Sequence, residues 1–296
     1  MNQTQRTDPP IAITDAAQSN VDRAVTDGFG AEWSTFRQTE SEFSAEERQD
    51  IFKTYFGIFP WERLPKDGGV GADIGCGSGR WSMQVAPRVR HLHLMDASEK
   101  ALTVARSNLS NQQNVTFHHA SVGEIPFAAG SLDFAFSLGV LHHVPDTRAA
   151  IQEIANKLKP GAPFLVYLYY RFDNRPMWFR ALWRATDVIR RLVSRLPHPL
   201  KMLASQLIAA TVYWPLARLS ALLERCGASV QTIPLSFYRH KSFYVMRTDA
   251  YDRFCTALEQ RFTRDEITSM LAAAGFESIR FSDSEPYWCA VGIKAR

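Results

Sequence analysis

Short apolar segments alternate with stretches of helical period between residues 65 and 170. Helical patterns cover 80–86, Glu99–Asn108 and 147–158, the last of which is stopped by Pro160 and Gly161. The five segments that separate or flank these patterns are GVGADIG, HLHLMD, NVTFHH, LDFAFSLG and PFLVYLYY, each of strand length. Alternation of this kind predicts a parallel sheet with helices on both faces.

The two ends of the chain differ from this region. Residues 1–20 are polar and without period, which predicts a flexible tail, and aromatic residues at helical spacings predict N-terminal helices over 21–64. Towards the C-terminus, Thr263 and Glu266 form a capping box before a helix, and two more strands follow, ESIRFS and WCAVGIK. We therefore expect the sheet domain to resume over 227–296.

A basic amphipathic segment, residues 171–226, separates the two parts of the sheet domain. It holds ten basic and three acidic residues in a chain whose net charge is only +4. Three interpretations are open: a solvated helix face, a cap over an anionic substrate, or a docking site for an anionic membrane. The arginines expected to face the acceptor are Arg180, Arg184, Arg191 and Arg195, and the aromatic residues expected to insert into a membrane are Trp178, Phe179, Trp183 and Trp214.

Composition limits the class of protein. With 296 residues, 46% hydrophobic and 22% charged, the chain is long and apolar enough for one large domain that carries an insertion. The four cysteines are far apart, so we expect neither a metal site nor a disulfide framework. Neither a signal peptide nor a membrane span is predicted, and we expect a cytoplasmic protein without a nucleic-acid partner.

The segment GADIGCGSGR carries the strongest chemical signal. Gly75, Gly77 and Gly79 follow a strand and precede a helix, and Asp96 ends the next strand. Glycines in such a turn let a ligand approach the backbone, and a carboxylate at the second strand's tip binds ribose hydroxyls. The pattern predicts a nucleoside site, although Arg80 stands where a dinucleotide fold would have glycine, which disfavours a nicotinamide-dependent oxidoreductase.

This glycine pattern, with Asp73 ahead of it, resembles motif I of the class I S-adenosylmethionine-dependent methyltransferases, in particular the type 11 enzymes for small molecules. The resemblance continues through HLHLMDAS, ASVGEIPFAAGSLDFAFSLGVLHHVPD and EIANKLKPGAPFLV. It implies a Rossmann-like, doubly wound α/β fold whose seven-stranded sheet is mostly parallel with an antiparallel last strand, and it places the helical insertion after the fifth strand.

The resemblance also implies the cofactor, S-adenosylmethionine, and its contacts. Asp96 matches the ribose-binding acid, and Ser121 stands where the family usually has an aspartate for the adenine amino group. The expected cofactor residues are Asp73, Gly75, Cys76, Gly77, Gly79, Arg80, Asp96, Ala97, Ser121, Val122 and Leu138.

Catalytic candidates follow from the topology, because ligands bind beyond the carboxyl ends of parallel strands. His143, His142 and Tyr169 lie there, and a neutral imidazole is suited to take a proton from a hydroxyl acceptor. We therefore expect a methyltransferase acting on a hydroxyl of an anionic or sugar-containing small molecule. Two alternatives remain: a C- or N-methyltransferase for a membrane-associated or natural-product substrate, and a non-catalytic S-adenosylmethionine-binding partner protein.

Overall fold

The computed structural model describes residues 20–39, 44–230 and 232–296, so the predicted tail lies outside the described residues except for Asn20. Seven strands form one sheet in the order β3-β2-β1-β4-β5-β7-β6. Their bounds are β1 Val70–Ile74, β2 His91–Asp96, β3 Val115–His119, β4 Phe134–Leu138, β5 Pro163–Tyr167, β6 Phe276–Phe281 and β7 Cys289–Lys294. β7 runs antiparallel to both neighbours and the other pairs are parallel, which confirms the predicted sheet.

Ten α-helices are described around this sheet. Their bounds are α1 Arg23–Thr35, α2 Ala45–Phe56, α3 Ser82–Val85, α4 Glu99–Asn108, α5 Thr147–Lys157, α6 Met177–Val193, α7 His198–Ile208, α8 Trp214–Arg225, α9 Phe243–Cys255 and α10 Arg264–Ala273. Several of these helices have side-chain N-caps. The Ser98 hydroxyl accepts a hydrogen bond from a backbone N–H in the first turn of α4, and the Asp146 carboxylate does the same in α5. The predicted capping box of Thr263 and Glu266 is present at α10.

The central strands explain why helices cover both faces of the sheet. Every residue of β4 is buried, and Phe134 and Phe136 face one core while Ala135 faces the other. A strand buried on both sides needs apolar residues at consecutive positions rather than at alternate ones. This arrangement leaves the carboxyl ends of β1, β2, β4 and β5 at one edge.

The N-terminal helix α1 lies across that edge. It packs against α4 so closely that a Cβ atom on Gly30 would lie 2.6 Å from the Ser98 hydroxyl. Asn20, just before α1, exchanges two hydrogen bonds of 2.8 Å with the backbone of Asp146. These contacts attach α1 to the sheet domain.

Helices α6 to α9 form a second layer above the same edge, which we name the helical cap (residues 177–255). α7 and α8 join without a break through a π-helical turn, Ala209–Tyr213. α9 also belongs to this layer, although it lies in the range 227–296 where the sequence pattern predicts a return to the sheet domain. The reason is packing: Met246, Ala250 and Tyr251 of α9 are buried with Val193 and Ala217 of the neighbouring helices.

Candidate active site

A cavity of about 650 Å³ lies between the carboxyl edge of the sheet, α1 and the helical cap. The sheet contributes the glycine loop and the ends of β2, β4 and β5, whereas the cap contributes mainly apolar side chains such as Ile208, Val212 and Leu216. The cavity is therefore polar at the nucleoside end and apolar beneath the cap.

The glycine loop turns tightly because all three of its glycines have positive φ angles, from 54° to 79°. A Cβ atom added at any of these glycines would lie within 3 Å of a side chain. The side chains are that of Val140 for Gly75, the Trp33 indole for Gly77 and Leu109 for Gly79. Gly75 and Gly77 line the cavity, but Gly79 faces α4 instead. The structure therefore shows a packing role for Gly79, where the loop approaches α4, and its cofactor contact stays a prediction.

Asp73 also differs from its predicted place. It is buried beneath the loop, does not line the cavity, and accepts a 2.7 Å hydrogen bond from the Ser82 hydroxyl. Burial raises the pKa of Asp73 to about 7, although the Ser82 hydrogen bond opposes this. The Asp73 side chain therefore links the end of β1 to α3, and its contact with a cofactor stays a prediction.

Asp96, in contrast, lies where the sequence predicts, in the cavity wall at the end of β2. Its two carboxylate oxygens accept backbone hydrogen bonds from Gly77, at 2.9 Å, and from Ser98, at 2.8 Å. Burial raises the pKa of Asp96, and these hydrogen bonds lower it in part. Each oxygen keeps a lone pair for a further donor, so the fixed carboxylate suits a pair of ribose hydroxyls.

The remaining predicted cofactor residues surround this end of the cavity. They are Cys76, Arg80, Ala97, Ser121, Val122 and Leu138. Gly139, which is not among the predicted cofactor residues, also lines the cavity with a φ of +81°. An added Cβ atom there would meet no atom of the described residues within 4 Å. Open space at a glycine of this conformation leaves room for a ligand beside the end of β4.

Buried acids and aromatic rings continue the wall from α1 and α9. Glu32, Asp249 and Asp252 line the cavity, and burial raises the pKa of all three, that of Asp249 to about 6. One oxygen of Glu32 is buried and has no hydrogen-bond partner among the residues that the structure describes. The rings of Trp33, Tyr55 and Trp81 also line the cavity.

This wall fits S-adenosylmethionine. Acidic and aromatic groups favour a ligand that carries positive charge, as this cofactor does on its sulfonium and ammonium groups. The sequence analysis missed Glu32 and the two aspartates because they lie on helices with no motif around them.

The two predicted histidines have different environments. His143 lines the cavity, and its Nδ1 lies 2.6 Å from the Leu258 carbonyl oxygen. Since a carbonyl oxygen only accepts, Nδ1 carries the proton and Nε2 keeps its lone pair in the neutral ring. Nε2 lies 3.7 Å from the Asp252 carboxylate.

His142 has no access to the cavity. It is fully buried, its ring is stacked 3.8 Å from that of Tyr169, and burial lowers its pKa well below the usual range. The prediction that His142 is a catalytic residue is therefore not supported, because a packed ring cannot reach an acceptor. Tyr169 does line the cavity, but its hydroxyl donates a hydrogen bond to Asp252.

The arginines of the amphipathic segment do not face this cavity. Arg180, Arg184 and Arg191 border a separate, smaller depression, and Arg195 lines neither. The arginines that do line the cavity include Arg175, Arg253 and Arg261, each paired with a glutamate. These four arginines therefore do not line the cavity, and the predicted anionic acceptor gains no support from them.

Comparison with known proteins identifies the domain around the glycine loop. Residues 72–166 match the family model described as a methyltransferase domain. Over 91 residues the chain is 41% identical to the ubiquinone biosynthesis O-methyltransferase of Aromatoleum aromaticum, covering 30% of this chain and 39% of that one. Over 108 residues it is 32% identical to the demethylmenaquinone methyltransferase of Staphylococcus aureus, covering 34% and 45%.

The chain spans less than half the length of these curated relatives. Among solved structures, a SAM-dependent methyltransferase from Methanosarcina mazei aligns with a TM-score of 0.49 and 18% identity, over 80% of this chain and 98% of that one. The family match confirms the sequence-based prediction of a methyltransferase domain over residues 72–166, and this family implies S-adenosylmethionine as the cofactor.

Proposed function

We propose, on the premise that residues 72–166 form a class I methyltransferase domain, that this chain transfers a methyl group from S-adenosylmethionine to a hydroxyl group of an apolar small molecule. The observation that carries the proposal is one cavity with the Asp96 carboxylate at one end and the oriented His143 ring further along. The first suits a nucleoside and the second suits the removal of a proton.

His143 is the base in this proposal. When bound, S-adenosylmethionine supplies an electrophilic methyl group on a positively charged sulfur. His143 Nε2 takes the proton of the acceptor hydroxyl, while the Leu258 carbonyl fixes the ring through Nδ1. The Asp252 carboxylate, 3.7 Å from Nε2, then stabilises the imidazolium.

Tyr169 has a positioning role. Its hydroxyl donates to Asp252, as does that of Thr256, and both bonds hold the carboxylate beside His143. Burial raises the pKa of Tyr169 well above its usual range, so the phenol stays protonated and keeps this donor role.

The apolar character of the acceptor follows from the cap. Side chains from α6, from the Ala209–Tyr213 turn and from residues 233–237 line the cavity on the side away from Asp96, among them Leu182, Val212 and Phe237. Burial of apolar surface contributes about 25 cal/mol per Å², so this wall favours a hydrocarbon group. Two relatives are named as a ubiquinone biosynthesis O-methyltransferase and a demethylmenaquinone methyltransferase, and these names are in keeping with this proposal.

The test is a screen for formation of S-adenosylhomocysteine by the purified protein. One set of acceptors carries a phenolic hydroxyl and a prenyl tail, and a second set consists of sugar nucleotides and short acidic glycans. We expect turnover with the first set only, and loss of turnover in His143→Gln but not in the exposed control His119→Gln. Turnover confined to sugar nucleotides, or to amines, would contradict the proposed acceptor, and binding of cofactor without turnover on any acceptor would favour a non-catalytic partner protein.

A further inference from the structure

The outer surface of the helical cap is unusually apolar. Fourteen of the fifteen large apolar side chains that are exposed in the described part of the chain lie between residues 177 and 222. Met177 is 83% exposed and Leu192 63%, and Trp178, Leu203 and Trp214 are about half exposed. We name the surface that these fourteen side chains form the apolar face. The concentration of exposed apolar side chains on three consecutive helices is typical of an interaction surface.

The helix from His198 to Arg225 is long and apolar enough by length and composition to cross a membrane, but only 22% of its most apolar window is buried in the protein. Its buried side is a stripe of mostly small residues, Ser205, Ala209, Tyr213, Ala217 and Ser220, which packs against α9 and the turn Ser236–His240. A helix fixed along one whole side to a folded domain is positioned to lie on a bilayer rather than through it.

Charge identifies the kind of surface that fits. Arg184 on α6, Arg195 in the turn between α6 and α7, and Arg225 at the end of α8 are exposed, and in the ranges that the structure describes they make no ion pair. Arginine side chains beside an apolar helix face extend to the phosphate level of a bilayer while their stems lie on hydrocarbon. A bilayer with anionic headgroups satisfies both the apolar face and these cations.

The cavity opens on this face. Leu182, Ile189 and Val212 line the cavity and are also nearly half exposed on the outer surface of the cap. An apolar acceptor dissolved in the bilayer therefore has a path into the site that does not cross water. Trp183, in contrast, points inward, where Arg253 and Arg261 lie over its ring.

We propose that the apolar face docks on the surface of an anionic bilayer and that the cavity mouth between α6 and the α7–α8 helix then faces the lipid. The docking depends only on the cap's surface, and the role of the mouth as an acceptor entrance rests on the proposed function.

The experiment is sedimentation of the full chain with phosphatidylcholine vesicles that contain or lack phosphatidylglycerol. It needs neither cofactor nor acceptor, so it stays informative if methyl transfer fails. We expect binding to the vesicles with phosphatidylglycerol, and weaker binding as salt shortens the Debye length from about 10 Å at 0.1 M to about 3 Å at 1 M.

Two variants separate the apolar from the electrostatic contribution. Leu192→Glu with Leu203→Glu should lower binding to vesicles with phosphatidylglycerol at least tenfold, because it places two carboxylates in the apolar face. Arg184→Gln, Arg195→Gln and Arg225→Gln together should lower it by about fivefold per arginine, equivalent to about 1 kcal/mol each. The matched control, Ala129→Glu with Ala149→Glu, adds the same two charges at exposed positions away from the cap and should bind like the wild type.

Three results would overturn the proposal. One is a wild type that does not sediment with either vesicle. Another is a dimer that Leu192→Glu with Leu203→Glu dissociates without a change in vesicle binding, since the face would then belong to a second copy. The third is wild-type protein that stays in vesicles through alkaline carbonate extraction, since it would then span the bilayer.

Discussion

The interaction between Asp252 and His143 gives the sharpest test of the proposed chemistry. At 3.7 Å and an effective dielectric constant of about 20, a full carboxylate and an imidazolium attract by about 4 kcal/mol. Asp252→Asn removes the charge but keeps one oxygen acceptor for Tyr169. We therefore expect about half of that energy to be lost in the transition state, about 2 kcal/mol, which lowers turnover roughly thirtyfold.

The measurement is S-adenosylhomocysteine formation at mildly alkaline pH with the best phenolic acceptor of the screen, together with calorimetry of cofactor binding. Cofactor affinity should fall much less than turnover, since Glu32 and Asp249 keep the acidic wall and Asp252 lies on α9, away from the glycine loop. The control is Tyr169→Phe, which removes a hydrogen bond to Asp252 and leaves its charge, so its loss should be smaller. If Asp252→Asn turns over at the wild-type rate with a normal circular dichroism spectrum, the carboxylate does not assist the base and the assignment is wrong.

Three further predictions concern the nucleoside end. Asp96→Ala should weaken cofactor binding by one to two decades, because it removes charge-assisted hydrogen bonds worth roughly 1.5 to 3 kcal/mol; unchanged affinity by calorimetry would contradict the ribose assignment. Gly77→Ala should lower the free energy of unfolding, measured in urea, more than Gly130→Ala does. Both glycines have a positive φ, but only a Cβ atom at Gly77 would contact the Trp33 indole, at 2.9 Å. Equal losses would show that the indole moves aside without a cost in stability. The pKa of Asp73 is raised to about 7 in the folded protein from about 3.9 in the unfolded chain, so the folded state binds more protons between these two pH values. The free energy of unfolding should therefore fall by up to about 1.4 kcal/mol per pH unit as pH rises through that range. Asp73→Asn should reduce this slope, and parallel curves for variant and wild type would refute the assignment of a buried acid.

Local sequence predicted the parts of the site that are built by neighbouring residues. The glycine loop, Asp96 and the end of β4 are close in space because the parallel strands that carry them end at one edge of the sheet. Their sequence motifs were therefore sufficient to predict that they lie together. Gly79 and Asp73 show the limit of this reasoning: the motif fixes their backbone positions, but the structure turns Gly79 towards α4 and buries Asp73 beneath the loop.

The orientation of α6 could not be predicted from its own pattern. Periodicity shows that a helix has one apolar and one basic side, but not which side faces the protein. Here Arg190 is buried, with Asp187 beside it and Arg253 close by, while Trp178 and Leu192 face outward. Partners from distant parts of the chain decide this orientation, as they do for Asp252, which reaches His143 only through the packing of α9.

The position of α1 has a consequence for the timing of the reaction. This thirteen-residue helix forms the wall over the nucleoside end, with Trp33 against Gly77 and Glu32 buried in the cavity. The segment is attached by the packing of Gly30 on α4 and of Phe36 on α9, and by polar bonds that include the Asn20 pair with Asp146. If the proposed methyl transfer is correct, we expect product release to require the detachment of α1 from α4 and α9 while the sheet stays intact. Substitutions in the N-terminal segment should then change the residence time of the product without changing the entry of the acceptor through the cap.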